Sequence, residues 1–306
     1  MLYFWILFNV FALIMLVVDL RVFHRPGHVV GFREALGWSA MYVALAGVFA
    51  VFLYFWQGHQ ATLEFVTGYV LELSLSVDNL FVFLVIFKYF TVPEDQQHRV
   101  LFWGILGALI LRGIFIGAGV ELISRFHWLL YIFGALLVYS GIRLSLSGGE
   151  QVRPEANPVV KALRRWLPIT KDYRGGKFFI RNAEENSRLY GTPLLVVLLV
   201  IETSDLMFAV DSIPAILAIT LKAFIVYTSN VFAILGLRSM YFAVSGLMKV
   251  FQFLHYGLAV ILVLVGIKML LADHFEIPTH VTLGAVAAVL AISIALSIAF
   301  PAKTTE

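Results

Sequence analysis

The stretch Leu71–Phe83 reads LELSLSVDNLFVF, and a related stretch, Ile201–Ala215, reads IETSDLMFAVDSIPA. Each places carboxylates inside a long apolar run, in a chain that is 61% hydrophobic. An ionised carboxylate near the centre of a lipid bilayer costs a few kcal/mol or more. The acids of these two stretches therefore need a partner or a role.

The composition indicates a membrane protein. Charged residues make up 13% of the 306, whereas a soluble domain carries about 25%, and the mean hydropathy is +0.91. A helix needs roughly 20 mostly apolar residues to cross a bilayer, and nine runs reach or nearly reach that length. They are Leu2–Leu20, Trp38–Trp56, Leu63–Phe87, Val100–Leu122, Trp128–Leu146, Leu194–Leu217, Phe224–Met248, Phe251–Leu271 and Val281–Phe300. We predict an all-α fold, a polytopic membrane helix bundle of about nine transmembrane helices, as a single membrane domain over residues 1–306.

The distribution of positive charge predicts the orientation of the chain. Nine Lys and Arg residues fall within residues 151–188, in the longest connector. Because Lys and Arg are retained on the cytoplasmic side, we expect this basic connector, 147–192, to be cytoplasmic. Counting the nine runs from it places the N-terminus outside and the C-terminus in the cytoplasm, with 17 Lys and Arg residues inside against 3 outside.

The two acidic stretches also indicate an internal repeat. ELSLSVDN, which begins at Glu72, aligns with DLMFAVDS, which begins at Asp205, so that both acids of each stretch coincide. We predict two repeat units, 63–146 and 193–272. Because each unit holds three spans, the second enters the membrane from the opposite side, which gives an inverted three-plus-three repeat of the kind found in secondary transporters.

The acids in these runs are the candidate metal ligands. Five carboxylates against two intramembrane Arg residues leave three negative charges, and a divalent cation would reduce these to one. An oxygen-rich set without Cys suits manganese, magnesium or calcium rather than copper or zinc. The candidate ligands are Glu72, Asp78, Asn79, Glu202, Asp205 and Asp211, and the charge-balancing residues are Arg112 and Arg238.

The spacing of the acids predicts how they would meet. Glu202 and Asp205 share one face of a helix, but six residues turn Asp211 about 120° away from Asp205. All could converge if each helix breaks or unwinds between its two acids. Pro214 favours such a break in the sixth run, since it leaves a backbone carbonyl without its donor. The corresponding break in the third run follows only from the repeat.

Three motifs resemble the TerC/Alx family of bacterial integral membrane proteins. They are SVDNLFVFLVIF from Ser76, IETSDLMFAVDSIPAILAIT from Ile201 and SNVFAILGLRSMYF from Ser229. The resemblance covers nearly the whole chain, and two extra spans before the repeat and one after it resemble the Alx branch. It implies that the five carboxylates match the family's acidic positions. It also implies a link to manganese export or, in some branches, to tellurite resistance.

We therefore expect a transporter rather than an enzyme. The expected function is secondary-active export of manganese(II) across a bacterial cytoplasmic (inner) membrane, through a mid-membrane acidic site at the repeat interface. The sequence has no GxxxxGKS or GxxxxGKT nucleotide-binding motif, so we expect coupling to protons. The expected partners are the metal cation, protons and the lipid bilayer, with no cofactor and no nucleic acid. Two alternatives stay open: an exchanger for calcium or sodium, and a metal-binding membrane enzyme or sensor.

Overall fold

A computed structural model gives the fold over most of the chain. It describes residues 2–23, 31–126, 128–147, 160–162, 165, 167–170, 172–173, 175–182, 188–245, 253–272, 274–275 and 277–299. The long helices there are α1 (Leu2–Phe23), α2 (Phe32–Gln57), α3 (His59–Tyr89), α4 (Glu94–Arg125), α5 (Leu129–Ser147), α6 (Pro193–Leu217), α7 (Ala223–Leu235), α8 (Leu237–Ser245), α9 (Leu254–Leu270) and α10 (Thr279–Ala299). The strands β1 (Phe179–Asn182) and β2 (Arg188–Gly191) pair antiparallel.

The helices match the predicted runs. In the part of the chain that the structure describes, seven segments are long and apolar enough to cross a membrane, with α7 and α8 counted together as one. Two shorter apolar stretches, Tyr3–Val18 and Leu254–Leu270, lie in α1 and α9. In hydrocarbon every backbone donor and acceptor must be paired within the chain, which helices achieve by themselves. The predicted all-α polytopic membrane fold is confirmed.

The bundle is apolar outside and polar inside. Large apolar side chains such as Phe55, Ile114 and Leu146 are mostly exposed to the surroundings of the bundle, whereas Glu72 and Arg238 are buried within it. A soluble protein would show the opposite arrangement. The surface of the bundle is therefore suited to contact with lipid, and ionisable groups such as Glu72 and Arg238 lie in its interior.

Two helix pairs form the centre of the bundle. The helix α4 packs along α6, and α3 packs along α7. A Cβ built on Gly104 of α4 would lie 3.3 Å from Ile201 Cγ2, and one on Gly68 of α3 would lie 3.0 Å from Ser229 Oγ. Gly68 and Ile201 are equivalent in the predicted repeat, each four residues before the first matched acid. If α3 corresponds to α6 and α4 to α7, then the pairs α4–α6 and α3–α7 are equivalent, as an inverted repeat requires. The repeat itself and the unit bounds 63–146 and 193–272 stay predictions.

Among the helices that the structure describes, α5 and α9 share the most extensive contact. Glycines let the two backbones touch: a Cβ on Gly141 would lie 2.7 Å from the carbonyl oxygen of Ala259, and a Cβ on Gly134 would lie 3.0 Å from that of Gly266. Small residues at such positions are typical of close helix contacts in membranes. This seam holds α5 and α9 together.

The predicted helix breaks are absent. The helix α3 runs unbroken through its two acids, and α6 runs unbroken through Asp205, Asp211 and Pro214. Pro214 leaves the carbonyl of Val210 without its usual helical donor, but α6 continues past it to Leu217. The interruption in this part of the bundle lies instead at Gly236, between α7 and α8.

The described parts of the basic connector pack against one end of the bundle. The hydroxyl of Tyr173 donates a hydrogen bond of 2.7 Å to the carbonyl of Phe90, and Arg99 Nη1 donates one of 2.6 Å to the carbonyl of Gly176. On the bundle side, Phe90 lies in the turn between α3 and α4, and Arg99 lies near the start of α4. The hairpin of β1 and β2 was not predicted from the sequence. It marks this end of the bundle as the connector side.

Candidate functional site

A buried arginine is the centre of the candidate site. Arg112 of α4 forms ion pairs with Glu72 of α3 and Asp205 of α6. Its Nη2 lies 3.3 Å from Asp205 Oδ1, and its Nε donates to Asp205 Oδ2 at 3.5 Å. Its Nη1 also donates to Asn230 Oδ1 of α7 at 3.4 Å. One guanidinium thus joins four helices.

These four residues lie deep in the bundle. Asp205 is twelve residues from either end of α6, or about 18 Å along the helix axis. Arg112 is 2% exposed, Glu72 1% and Asn230 1%. Coulomb interactions are strong in such a place, and a charge left there without a partner is costly. The arrangement satisfies one cation with two anions and leaves this group one negative charge in excess.

The remaining acids of α6 point to different neighbours. Glu202 lies against Gly107 of α4, where a Cβ would overlap its carboxylate, and its Oε2 is buried without a hydrogen-bond partner. Asp211 accepts a hydrogen bond of 2.7 Å from the hydroxyl of Ser140 on α5. Because α6 is unbroken, the 120° between Asp205 and Asp211 sends one side chain to α4 and the other to α5.

For three other predicted site residues the structure gives only their burial or their place on a helix. Asn79 is buried on α3 and Arg238 is fully buried at the start of α8. The backbone of Asp78 belongs to α3, but its side chain lies outside the described residues. Whether the predicted ligands bind a metal together is not tested by this geometry and stays a prediction.

The described side chains form no group of three or more His, Asp or Glu residues close enough to hold a metal ion. Glu72 and Asp205 meet only through Arg112, while Glu202 and Asp211 face other partners. The meeting of all the predicted acids at one oxygen-rich site is therefore not seen among the described side chains. What the structure offers is a mixed site of carboxylate, amide and guanidinium groups.

A small cavity lies beside this site. It measures about 10 Å³, enough for about one water-sized occupant, and it touches Arg112 and Asp205. Its other walls are apolar and include Phe83, Leu101 and Leu237. Phe83 and Leu101 lie toward the connector side of α3 and α4. The cavity therefore continues from the ion pairs toward the connector.

The opposite end of the bundle carries a second polar network. Glu64 of α3, 6% exposed, accepts hydrogen bonds from Thr220 at 2.9 Å, Lys222 at 3.3 Å and Gln60 at 3.3 Å. Gln60 also reaches Thr279 of α10 at 3.2 Å. The network ties α3, the turn between α6 and α7, and α10 together. It lies at the end of the bundle away from the connector.

Sequence reasoning missed three residues of these sites. Glu64 sits at the end of its run and reads as an ordinary interfacial acid, and Ser140 is a lone hydroxyl in an apolar helix. Asn230 could have been identified from the sequence, because an amide in the middle of the buried helix α7 needs hydrogen-bond partners. It lies in the motif SNVFAILGLRSMYF. Only the fold shows that its partner is Arg112.

Comparison with known proteins gives consistent matches over the chain. A family model described as the integral membrane protein TerC family matches residues 57–305. An uncharacterised membrane protein of Myxococcus xanthus is 49% identical over 294 residues, which cover 96% of this chain and 91% of that protein. Two proteins named Alx, each described as a candidate membrane-bound redox modulator, are also similar. That of Salmonella typhi is 46% identical over 302 residues (96% of this chain, 93% of that protein), and that of Photorhabdus laumondii is 43% identical over 303 residues (96% and 94%). No solved structure matches the chain.

Proposed function

The chain belongs to the TerC family of integral membrane proteins, and from that premise we propose that it exports manganese(II) across a bacterial inner membrane. The observation that carries the proposal is the convergence of Glu72, Asp205 and Asn230 on one cationic group at the middle of the bundle. Their oxygens are hard donors, which suit manganese, magnesium and calcium. The resemblance to the family favours manganese among them.

The charge balance supports a transported cation. Glu72 and Asp205 share one guanidinium, and Glu202 has a buried carboxylate oxygen without a hydrogen bond. A site with surplus buried negative charge attracts cations and protons. Protons would neutralise the same carboxylates when the metal leaves. Exchange of protons for the metal is therefore the coupling that we propose.

The two ends of the bundle support alternating access. The small cavity beside Asp205 is enclosed by buried side chains such as Leu101, whereas the Glu64 network ties α3, α10 and the turn between α6 and α7 together at the end away from the connector. With the basic connector 147–192 in the cytoplasm, as the positive charge predicts, we propose that this arrangement is closer to an inward-facing than to an outward-facing state. The N-terminus is then outside and the C-terminus inside. Rocking of the units 63–146 and 193–272 would open the outer end and close the inner one.

A redox role is not proposed for this chain. The name of the two Alx proteins describes them as candidate redox modulators, but thiol–disulfide exchange needs cysteine, and this sequence has none. A change in cellular redox state would follow here only indirectly, through the metal that is moved.

The test is transport by the purified protein in liposomes that contain a manganese-sensitive dye. We expect manganese to cross in exchange for protons, and Asp205→Asn to abolish this. The matched control is Glu121→Gln, which removes the same charge from an exposed position on α4. In cells, Asp211→Asn is expected to impair manganese clearance, and clearance equal to that of the wild type would remove Asp211 from the site.

The same vesicles separate the alternatives. Transport of calcium or sodium in place of manganese would identify an exchanger for another cation. Metal binding without any transport would identify a membrane enzyme or sensor. Either result would contradict manganese export.

A further inference from the structure

The guanidinium of Arg112 lies where a bound metal ion would have to lie. It is surrounded by Glu72 Oε1, both carboxylate oxygens of Asp205 and the amide oxygen of Asn230. These oxygens come from three different helices, α3, α6 and α7, and meet at the middle of the bundle. Carboxylate and amide oxygens are also the ligands that hard divalent cations take in proteins. The acceptors of the arginine are thus a preformed set of metal ligands.

We propose that Arg112 is a tethered cation that fills the transport site when no metal is bound, and that a divalent cation replaces it on Glu72, Asp205 and Asn230. The inference rests on the proposed function and adds Asn230 to the ligands. Two cations a few ångströms apart repel one another strongly where water is scarce. Metal and guanidinium therefore exclude each other from the site.

Glu202 gives the displaced arginine a second place. Its carboxylate lies against Gly107, which precedes Arg112 by five residues on α4, or about 7.5 Å along the helix axis. Its Oε2 is buried and has no hydrogen-bond partner. Five residues also turn Gly107 about 140° from Arg112 around α4, but Glu202 and Asp205 share one face of α6 and are about 4.5 Å apart along its axis. The guanidinium at Asp205 would reach Glu202 by moving over that distance along α6. Exchange between the two carboxylate sites avoids a buried charge without a partner, which would be costly.

The exchange also predicts selectivity by charge. A divalent ion brings one more positive charge to Glu72 and Asp205 than the guanidinium that it replaces. A monovalent ion brings no such gain and cannot replace the several hydrogen bonds that the planar guanidinium group donates. Asn230 supplies a neutral oxygen, and its Nδ2 is buried without a hydrogen-bond partner. The amide therefore has no evident structural bond other than the one to the arginine.

The experiment compares manganese binding by the wild type and Arg112→Gln, each in lipid nanodiscs, by the loss of the electron paramagnetic resonance signal of free Mn²⁺. With its internal competitor removed, Arg112→Gln is expected to bind Mn²⁺ at least about tenfold more tightly and to let Na⁺ compete. Its transport turnover should fall, because the arginine no longer helps release the ion. Mn²⁺ should also raise its melting temperature by more than that of the wild type.

The control is Arg125→Gln, which removes an exposed arginine from the same helix and should bind Mn²⁺ like the wild type. Asn230→Ala keeps every charge and is expected to bind Mn²⁺ about tenfold more weakly. If Arg112→Gln does not fold, Arg112→Lys keeps the charge without the fork and should bind Mn²⁺ more tightly than the wild type, though less so than Arg112→Gln.

The outcomes distinguish this inference from the function on which it rests. A wild type that neither binds nor transports Mn²⁺ overturns the proposed function. A wild type that binds and transports Mn²⁺, together with Arg112 variants that bind it no more tightly, overturns the tethered cation alone. Unchanged affinity in Asn230→Ala removes Asn230 from the ligands.

Discussion

The contact between Gly107 and Glu202 allows the role of that acid to be tested without changing a charge. In Gly107→Ala the new methyl group would overlap the Glu202 carboxylate, and no other atoms are closer to it. Carbon and oxygen atoms rest about 3.5 Å apart, so the carboxylate has to move by about 1 Å or more. It is the end of a flexible side chain, and the backbones of α4 and α6 can therefore stay where they are.

The expected result is slower transport by a stable protein. Replacing glycine by alanine inside a helix favours folding by up to about 1 kcal/mol, so the melting temperature should stay constant or rise. If Glu202 receives Arg112, losing one charge-assisted hydrogen bond of about 1.5–3 kcal/mol slows turnover about 10- to 100-fold. Manganese flux into dye-loaded liposomes and the melting temperature of the same preparation are the two measurements.

The control is Gly117→Ala, ten residues along the same helix, where a Cβ meets no atom within 4 Å. It adds the same methyl group and should change neither quantity by much. Transport by Gly107→Ala equal to that of Gly117→Ala would show that the position of Glu202 is unimportant. A lower melting temperature in Gly107→Ala would show that the methyl group disturbs the helix packing instead.

Three further changes test the packing around the site. Gly141→Ala places a methyl group 2.7 Å from a backbone oxygen of α9 and should cost about 1–3 kcal/mol in thermal unfolding, against no loss in the glycine control above. Glu64→Ala removes the shared acceptor of the outer network and should cost about 1–3 kcal/mol, whereas Glu121→Ala, in an exposed pair, should stay within about 0.5 kcal/mol. Burial raises the pKa of Tyr173 from 10.0 to about 12; since the unfolded chain loses this proton first, stability should fall from about pH 10 to about pH 12, and Tyr173→Phe should lack this part of a pH-dependent melting curve.

Hydropathy predicted the helices of this fold because each is defined by some 20 consecutive residues. No single residue in α2 or α10 has to be interpreted correctly for the span to be found. The hairpin in the connector rests on four residues in each strand and on pairing between them, and a sequence pattern as short as that is weak. The break at Gly236 was hidden for the same reason, because one glycine in an apolar run has several structural meanings.

The acids were found by sequence, but their partners were not. An acid in an apolar run is conspicuous, and Glu72 and Asp205 were identified in that way. The prediction that all acids converge required broken helices, and α6 is continuous, so Asp211 turns to Ser140. A serine in a membrane helix leaves no signal in composition or periodicity. Which helix stands beside which acid is set by packing between distant parts of the chain.

The charge count around Arg112 bears on whether it is a permanent counter-ion. Its one positive charge is shared by two buried carboxylates, Glu72 and Asp205, and its third partner is the neutral amide of Asn230. A guanidinium that served only to neutralise buried acids would be expected to balance their charge, because a surplus buried charge is costly. Here one negative charge is left over. A divalent cation would balance both carboxylates, and the guanidinium is then an occupant that leaves when the ion arrives, as the tethered-cation proposal requires.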